Sequence, residues 1–140
     1  MKNQQQLQKL IYEMNNKLIS KYGPEFSDLE INWGNRIPRT GSGAVCYVGK
    51  NGYNYRIYER GNLLKEVTTE DVNEIIYAIF SNHLHEAACK YELKNRIKGQ
   101  DFRRILFEKY LEYWRALGDD YYNFASSKID AILREFPYSD

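Results

Sequence analysis

Residues Asn51 and Gly52 form the strongest local folding signal in this sequence of 140 residues. An Asn-Gly pair accepts the positive φ angles that a tight hairpin turn requires. The segments before and after it, 44–48 and 53–59, are rich in the β-branched and aromatic residues that favour strands. The sequence therefore predicts an antiparallel hairpin around this turn.

A second turn, at Arg60-Gly61-Asn62, extends the hairpin. Beyond it the chain returns through 63–67, which predicts a β-meander of about three strands over residues 44–67. Upstream, residues 25–43 contain several Gly and Pro residues and are interpreted as a connector. Leu29, Ile31 and Trp33 alternate within this connector as a short strand would, which is a weaker signal for one more strand.

Residues 1–23 are predicted to form an amino-terminal helix. Between Gln4 and Tyr22 the apolar residues recur at steps of three and four, which places them on one helical face. Gly23-Pro24 then ends the helix, because Gly adopts a left-handed terminating conformation and Pro cannot continue the hydrogen-bond pattern. The residues on the apolar face are Leu7, Leu10, Ile11, Met14, Leu18, Ile19 and Tyr22.

A second helix is predicted to begin directly after the meander. Thr68 or Thr69 can cap it, and an apolar stripe follows from Val72 onward. One continuous helix as far as Ile97 would be unusually long for a globular protein. We therefore expect an interruption near Ser81-Asn82.

Two further helices complete the predicted helical half, residues 69–136. Gly99 separates the preceding helix from an amphipathic segment that Asp101 can cap, and Gly118 separates this segment from a last helix that Pro137 ends. Packing about three or four helices against a small antiparallel sheet gives the α+β class. Since the chain contains no linker, residues 1–140 are expected to form one domain.

The charge balance disfavours one class of partner. Lys and Arg total 20 against 19 for Asp and Glu, whereas general nucleic-acid binding needs a basic surplus. No apolar stretch approaches the roughly 20 residues that cross a bilayer, and the first residues do not form a signal peptide. Cys46 and Cys89 are expected to be reduced thiols. The sequence thus predicts a cytosolic protein without nucleic-acid or membrane partners.

His85, Glu86 and Cys89 form a candidate catalytic motif, His-Glu-x-x-Cys. A His and a Cys four residues apart on a helix can reach one metal ion, with Glu as general base, as in a small metal-dependent hydrolase. The ligand set is incomplete, because the only other histidine, His83, lies on the apolar face of the helix and His85 roughly opposite. We therefore favour a structural interpretation and expect no enzymatic activity, metal or cofactor.

Aromatic residues supply the candidate binding surface. They make up 15% of the chain, with 13 tyrosines, more than one small core encloses with every hydroxyl satisfied. The hairpin tyrosines are either core rings or an interface hot spot, where Tyr and Arg are enriched. The paired arginines after Gly99 either form ion pairs at a helix junction or face an acidic partner. The candidate partner-binding residues are Tyr53, Tyr55, Arg56 and Tyr58 on the hairpin, and Arg103 and Arg104 at the junction.

Several short segments between about residues 55 and 138 share the pattern of a known family. They are the turn Tyr58-Glu59-Arg60-Gly61, the helix from Thr69-Glu70-Asp71 to Ile79-Phe80-Ser81, Tyr91-Glu92 with Arg96, Gln100-Asp101-x-Arg103-Arg104 with Phe107, and Ile132-Leu133 to Phe136-Pro137. Together they resemble immunity protein 63, one of the bacterial polymorphic-toxin immunity families. The resemblance implies a small cytosolic antidote that binds a cognate toxin domain and blocks it without catalysis. A non-enzymatic regulatory adaptor with another partner is the alternative.

Overall fold

The chain folds into four α-helices and one four-stranded sheet, which confirms the α+β class. The computed structural model describes all 140 residues. In chain order the elements are α1 (Gln4–Tyr22), a short 3-10 helix (Gly23–Glu25), β1 (Ile31–Trp33), β2 (Gly43–Gly49), β3 (Gly52–Glu59), β4 (Asn62–Thr69), α2 (Val72–Asn95), α3 (Arg103–Leu117) and α4 (Asp119–Glu135).

The predicted hairpin is present, and its geometry depends on Gly52. Strands β2 and β3 pair antiparallel up to Gly49 opposite Gly52, so the chain reverses at Lys50 and Asn51. Gly52 has a φ of 129°, and a Cβ atom there would lie 2.5 Å from the carbonyl oxygen of Thr69 on β4. Only glycine therefore fits at position 52, where β3 begins between strands β2 and β4. Strand β4 pairs antiparallel with β3, which completes the predicted meander.

The sheet has a fourth strand and is mixed, which corrects the prediction of about three antiparallel strands. Strand β1 pairs in parallel with β2, with Ile31 opposite Ala44. The connector 34–42 brings the chain back to the start of β2. A hydrogen bond from Gly34 N to Cys46 O at 3.0 Å holds the first residue of this connector against β2. The alternation around Ile31 was the correct signal, but a parallel pairing across an irregular connector leaves no local pattern in the sequence.

Helix α2 is continuous, so the interruption expected near Ser81-Asn82 was wrong. Residues 72–95 contain neither Gly nor Pro, and extending a helix that has already formed costs little. Phe80 and Leu84, which flank Ser81-Asn82, are fully buried. The packing of these side chains stabilises the helix at the position where the average helix length predicted a break.

Helix α2 also begins later than predicted, because Asp71 rather than Thr68 or Thr69 caps it. The Asp71 carboxylate accepts a hydrogen bond from the backbone N–H of Asn73 at 2.8 Å. Thr69 is the last residue of β4, and its hydroxyl accepts a hydrogen bond from the backbone N–H of Asp71 at 3.0 Å. The threonine thus shapes the turn from strand to helix, and the aspartate satisfies one of the free N–H groups of the helix.

The residues form two compact units, Met1–Asn15 with Asp28–Phe80 and Asn16–Ser27 with Ser81–Asp140. The single domain expected from the sequence stays a prediction. Core residues of the first unit include Leu7, Ile11, Val45, Cys46, Tyr53, Ile75, Ile76 and Ile79. Core residues of the second unit include Leu18, Leu84, Ala88, Leu106, Tyr113, Trp114, Ala125 and Ile129. Both cysteines are free thiols, with Cys46 buried and Cys89 half-buried.

His83 in the second unit makes stability depend on pH. Its ring lies 5.5 Å from the ring of Phe26. Burial, with a contribution from the charge of Lys90, lowers the pKa of His83 from 6.5 to about 4. The unfolded chain therefore binds this proton more tightly than the folded chain does. Full stability is present above about pH 6.5 and is lost as the pH falls towards about 4.

We expect the free energy of unfolding, measured by urea titration, to fall by on the order of 1–2 kcal/mol between about pH 7 and pH 5. This range includes a reduction for the partial exposure of the His83 ring to solvent. His83→Gln should flatten this part of the profile, because Gln does not titrate. The exposed His85 lies on the same helix, so His85→Gln is the matched control and should keep the wild-type slope. Equal slopes for the wild type and His83→Gln would contradict this role for His83.

Candidate partner-binding site

The hairpin tyrosines lie in the core of the first unit. Tyr53, Tyr55 and Tyr58 are 1%, 5% and 9% exposed. The Tyr53 hydroxyl accepts a hydrogen bond from the backbone N–H of Lys2 at 2.6 Å. Of the two alternatives that the sequence left open, the structure places these rings among the core side chains. Their role in binding a partner stays a prediction.

Arg56 lies on the hairpin between these tyrosines, but its charge is already paired. Its Nε atom lies 2.6 Å from a carboxylate oxygen of Glu66, the residue opposite it on β4. Its Nη2 atom donates a hydrogen bond to the Tyr47 hydroxyl at 3.1 Å, and its guanidinium lies 5.4 Å from the centre of the Tyr47 ring. Arg56 thus links three strands across the sheet, and its side chain is one-quarter exposed.

Arg103 and Asp101 form a clamp that holds the carboxy-terminal segment. The Asp101 carboxylate accepts hydrogen bonds from the backbone N–H of Arg103 at 3.0 Å and from its guanidinium at 2.7 Å. The same guanidinium donates to the carbonyl oxygens of Phe136 at 2.8 Å and Pro137 at 2.9 Å. The hydrogen bonds from Arg103 hold the pKa of Asp101 well below its usual range. The N-cap position of α3 is Phe102, without a side-chain cap, so the predicted Asp101 cap lies one residue too early, although its carboxylate does bind the N–H of Arg103, the first residue of the helix.

Arg104 fastens the same segment at a second point. Its Nε atom donates a hydrogen bond to the Asp140 carboxylate at 2.8 Å. Its guanidinium also lies 4.1 Å from the centre of the Tyr138 ring, within the range of a cation–π contact. Both arginines are therefore paired within the chain, as the ion-paired interpretation of the junction predicted.

An open cleft of about 810 Å³ lies beside this clamp in the second unit, and we call it the C-terminal cleft. Residues 96–103 and 135–137 line it together with Ser139. Its large apolar side chains are exposed to an unusual degree, namely Ile97 at 53%, Phe102 at 50% and Phe136 at 61%. In the structure Phe102 precedes α3 and Phe136 follows α4, so the helical periodicity that buries their neighbours does not reach them.

The charges of the C-terminal cleft are unevenly accessible. Glu92, which is not part of the lining, pairs with the lining residue Arg96 at 2.6 Å, and the hydrogen bond from Arg96 lowers the pKa of Glu92. The Glu92 side chain is only 3% exposed, whereas that of Arg96 is 56% exposed. Asp101 is similarly enclosed, at 4%. Lys98 and Glu135 are both exposed. The exposed charged side chains of the lining are therefore the cations Arg96 and Lys98 and the carboxylate of Glu135.

The histidine–cysteine motif forms a pair without a third ligand. On α2 the Cys89 sulfur lies 3.8 Å from Nδ1 of His85, and His83 contacts Phe26 instead. No group of three or more His, Cys, Asp or Glu side chains is arranged to hold a metal ion. Burial, followed by the charges of Glu92 and Glu86, raises the pKa of the Cys89 thiol. A raised pKa disfavours the thiolate, which is the form that binds metals and attacks substrates.

Comparisons with known proteins identify the family. No helix contains an apolar run of the length needed to traverse a bilayer. Searches of curated proteins and of solved structures find no match. The family model of Immunity protein 63 matches residues 49–131, which is more than half of the chain. The matched range contains β3, β4, α2, α3 and most of α4. The chain belongs to the Immunity protein 63 family.

Proposed function

We propose that this protein binds a cognate toxin domain in the cytosol and neutralises it by covering its surface, without catalysing a reaction. The observation that carries the proposal is the match of the Immunity protein 63 model to residues 49–131. An immunity protein protects the cell that makes the toxin, so it needs an affinity high enough to leave no toxin free. That requirement is one of surface complementarity, and it needs neither a metal nor a cofactor.

The features of the side chains agree with a protein partner. A specific interface buries about 800 Å² on each partner and depends on a few aromatic or Arg anchors. Exposed Phe102 and Phe136 are anchors of this type. The net charge of +1 does not provide the basic surplus of a general nucleic-acid binder. Cys89, with its raised pKa, is a poor nucleophile. These properties favour a binding protein over an enzyme.

The test is co-expression with the toxin domain encoded beside this gene. Cells that make the toxin domain alone should lose viability, and cells that also make this protein should survive. The purified proteins should elute together, with a Kd below about 100 nM, as expected of a specific interface of standard size. An unrelated toxin domain is the control and should be neither bound nor neutralised.

Two results would contradict the proposal. Absence of both a complex and protection would show that the partner is of another kind, such as that of a regulatory adaptor. Protection that is abolished by a chelator, together with a stoichiometric transition metal in the purified protein, would favour the metal-dependent hydrolase instead.

A further inference from the structure

We propose that the C-terminal cleft is the surface that docks the toxin, and that its occupant is an acidic segment bearing a large apolar side chain. This inference rests on the proposed function, because it takes the partner to be the toxin domain. The proposed contact consists of residues 96–103, 135–137 and Ser139, which are distinct from the hairpin residues considered at the outset.

The apolar side chains of the cleft have no cover in the folded chain. Ile97, Phe102 and Phe136 are each at least half exposed and line the same concavity. Single exposed apolar residues are common on protein surfaces, but a group of them around one cleft marks an interaction site. Two aromatic rings in a concave setting can enclose an apolar anchor from a partner, which is where binding energy concentrates.

The accessible charge of the cleft selects an acidic partner. The carboxylates of Glu92 and Asp101 are almost completely enclosed and are paired with arginines of this chain. Arg96 keeps more than half of its side chain exposed beside its ion pair with Glu92, and Lys98 is exposed. Glu135 is the exposed carboxylate of the lining. An acidic segment therefore finds complementary charge, whereas a basic segment would face the two cations.

The cleft is held in its open shape before a partner arrives. The Asp101–Arg103 clamp binds the carbonyl oxygens of Phe136 and Pro137, so the segments that carry the two phenylalanines are tied together. The turn between α2 and α3 is closed by the hydrogen bond from Gln100 N to Ile97 O at 3.2 Å. Little conformational entropy is lost when such a preorganised surface binds, which favours high affinity.

The experiment measures the Kd of the neighbouring toxin domain by isothermal titration calorimetry for wild type and variants. Phe102→Ser and Phe136→Ser should each weaken binding by about 30-fold, as expected for the loss of an anchor in an interface. Lys98→Glu should weaken it by about tenfold and reduce its salt dependence, because a favourable charge contact becomes a repulsive one. The matched controls are Tyr12→Ser, with a ring 68% exposed on α1, and Lys50→Glu, an exposed lysine in the hairpin turn. Both should bind within about twofold of wild type, because surface changes outside an interface have little effect.

Each outcome supports or overturns one part of the inference. If the wild type and all variants bind equally, the docking surface lies elsewhere, and the proposed function stands. If the phenylalanine variants weaken binding while Lys98→Glu and added salt do not, the occupant is apolar and the acidic assignment is overturned. If the wild type itself does not bind the toxin, the proposed function fails and this inference fails with it. Circular dichroism checks folding, and Ile97→Ser replaces any variant that loses its helical signal.

Discussion

Replacing Trp114 with Ala lowers the free energy of unfolding by about 3–5 kcal/mol, the usual cost of deleting a fully buried Trp side chain. Trp114 on α3 has no exposed surface. Its ring lies 6.2 Å from that of Tyr110 and 5.6 Å from that of Tyr121 on α4. Removing the indole leaves a cavity that these neighbours fill only partly, and it removes the ring contact between Trp114 on α3 and Tyr121 on α4. Denaturant titration followed by circular dichroism measures the loss.

Two variants make the result specific. Trp114→Phe keeps an aromatic ring and should lose less stability than Trp114→Ala. Tyr12→Ala removes a ring that is 68% exposed and should change stability by no more than about 0.5 kcal/mol, as surface substitutions do. A loss below about 1 kcal/mol for Trp114→Ala would show that Trp114 is not a central core residue in solution.

Replacing Gly52 with Ala should also destabilise the protein strongly, by about 2–5 kcal/mol, which combines backbone strain with steric overlap. At Gly52 the φ of 129° is one that residues with a Cβ rarely adopt. The added Cβ would lie 2.5 Å from the carbonyl oxygen of Thr69 and 2.8 Å from its carbonyl carbon. Both are backbone atoms of the neighbouring strand, so relief requires β3 and β4 to separate where Tyr53 pairs with Thr69. The same titration measures the change.

The matched control is Gly61→Ala in the turn between β3 and β4. Gly61 has a φ of 79°, and no atom lies within 4 Å of the position of an added Cβ. This variant therefore carries the backbone penalty alone, about 1–2 kcal/mol. The additional loss in Gly52→Ala then measures the steric overlap with β4. Equal losses for the two variants would contradict the close approach between Gly52 and Thr69.

Local signals in the sequence predicted most of the fold. The Asn51-Gly52 pair located the hairpin, and Gly23-Pro24 and Pro137 located the ends of α1 and α4, because each acts within a few residues of itself. The pairing of β1 with β2 and the continuity of α2 were missed for a different reason. The first depends on a contact across the connector 34–42, and the second on burial of Phe80 and Leu84, and neither contact is encoded in a local pattern.

The candidate site was less predictable from the sequence than the fold. The predicted Asp101 cap was one residue from the N-cap of α3, which is Phe102, and the contact of Asp101 with Arg103 N–H was within reach of sequence reasoning because it joins neighbouring residues. The hydrogen bond from Arg103 to the carbonyl oxygen of Phe136 joins residues 33 positions apart, so no local sequence pattern contains both partners. The C-terminal cleft depends on this long-range contact. The tyrosines of the hairpin were ambiguous because strand alternation identifies the side chains that share a face but does not identify what covers that face.

Cys46 provides the sheet of the first unit with an internal reporter. Its side chain has no exposed surface, and burial raises the pKa of its thiol to about 12. Alkylating reagents attack the thiolate, so they modify this residue only in molecules in which β2 has become exposed to solvent. The rate at which an alkylating reagent labels Cys46 therefore records how often the folded protein opens in the absence of denaturant.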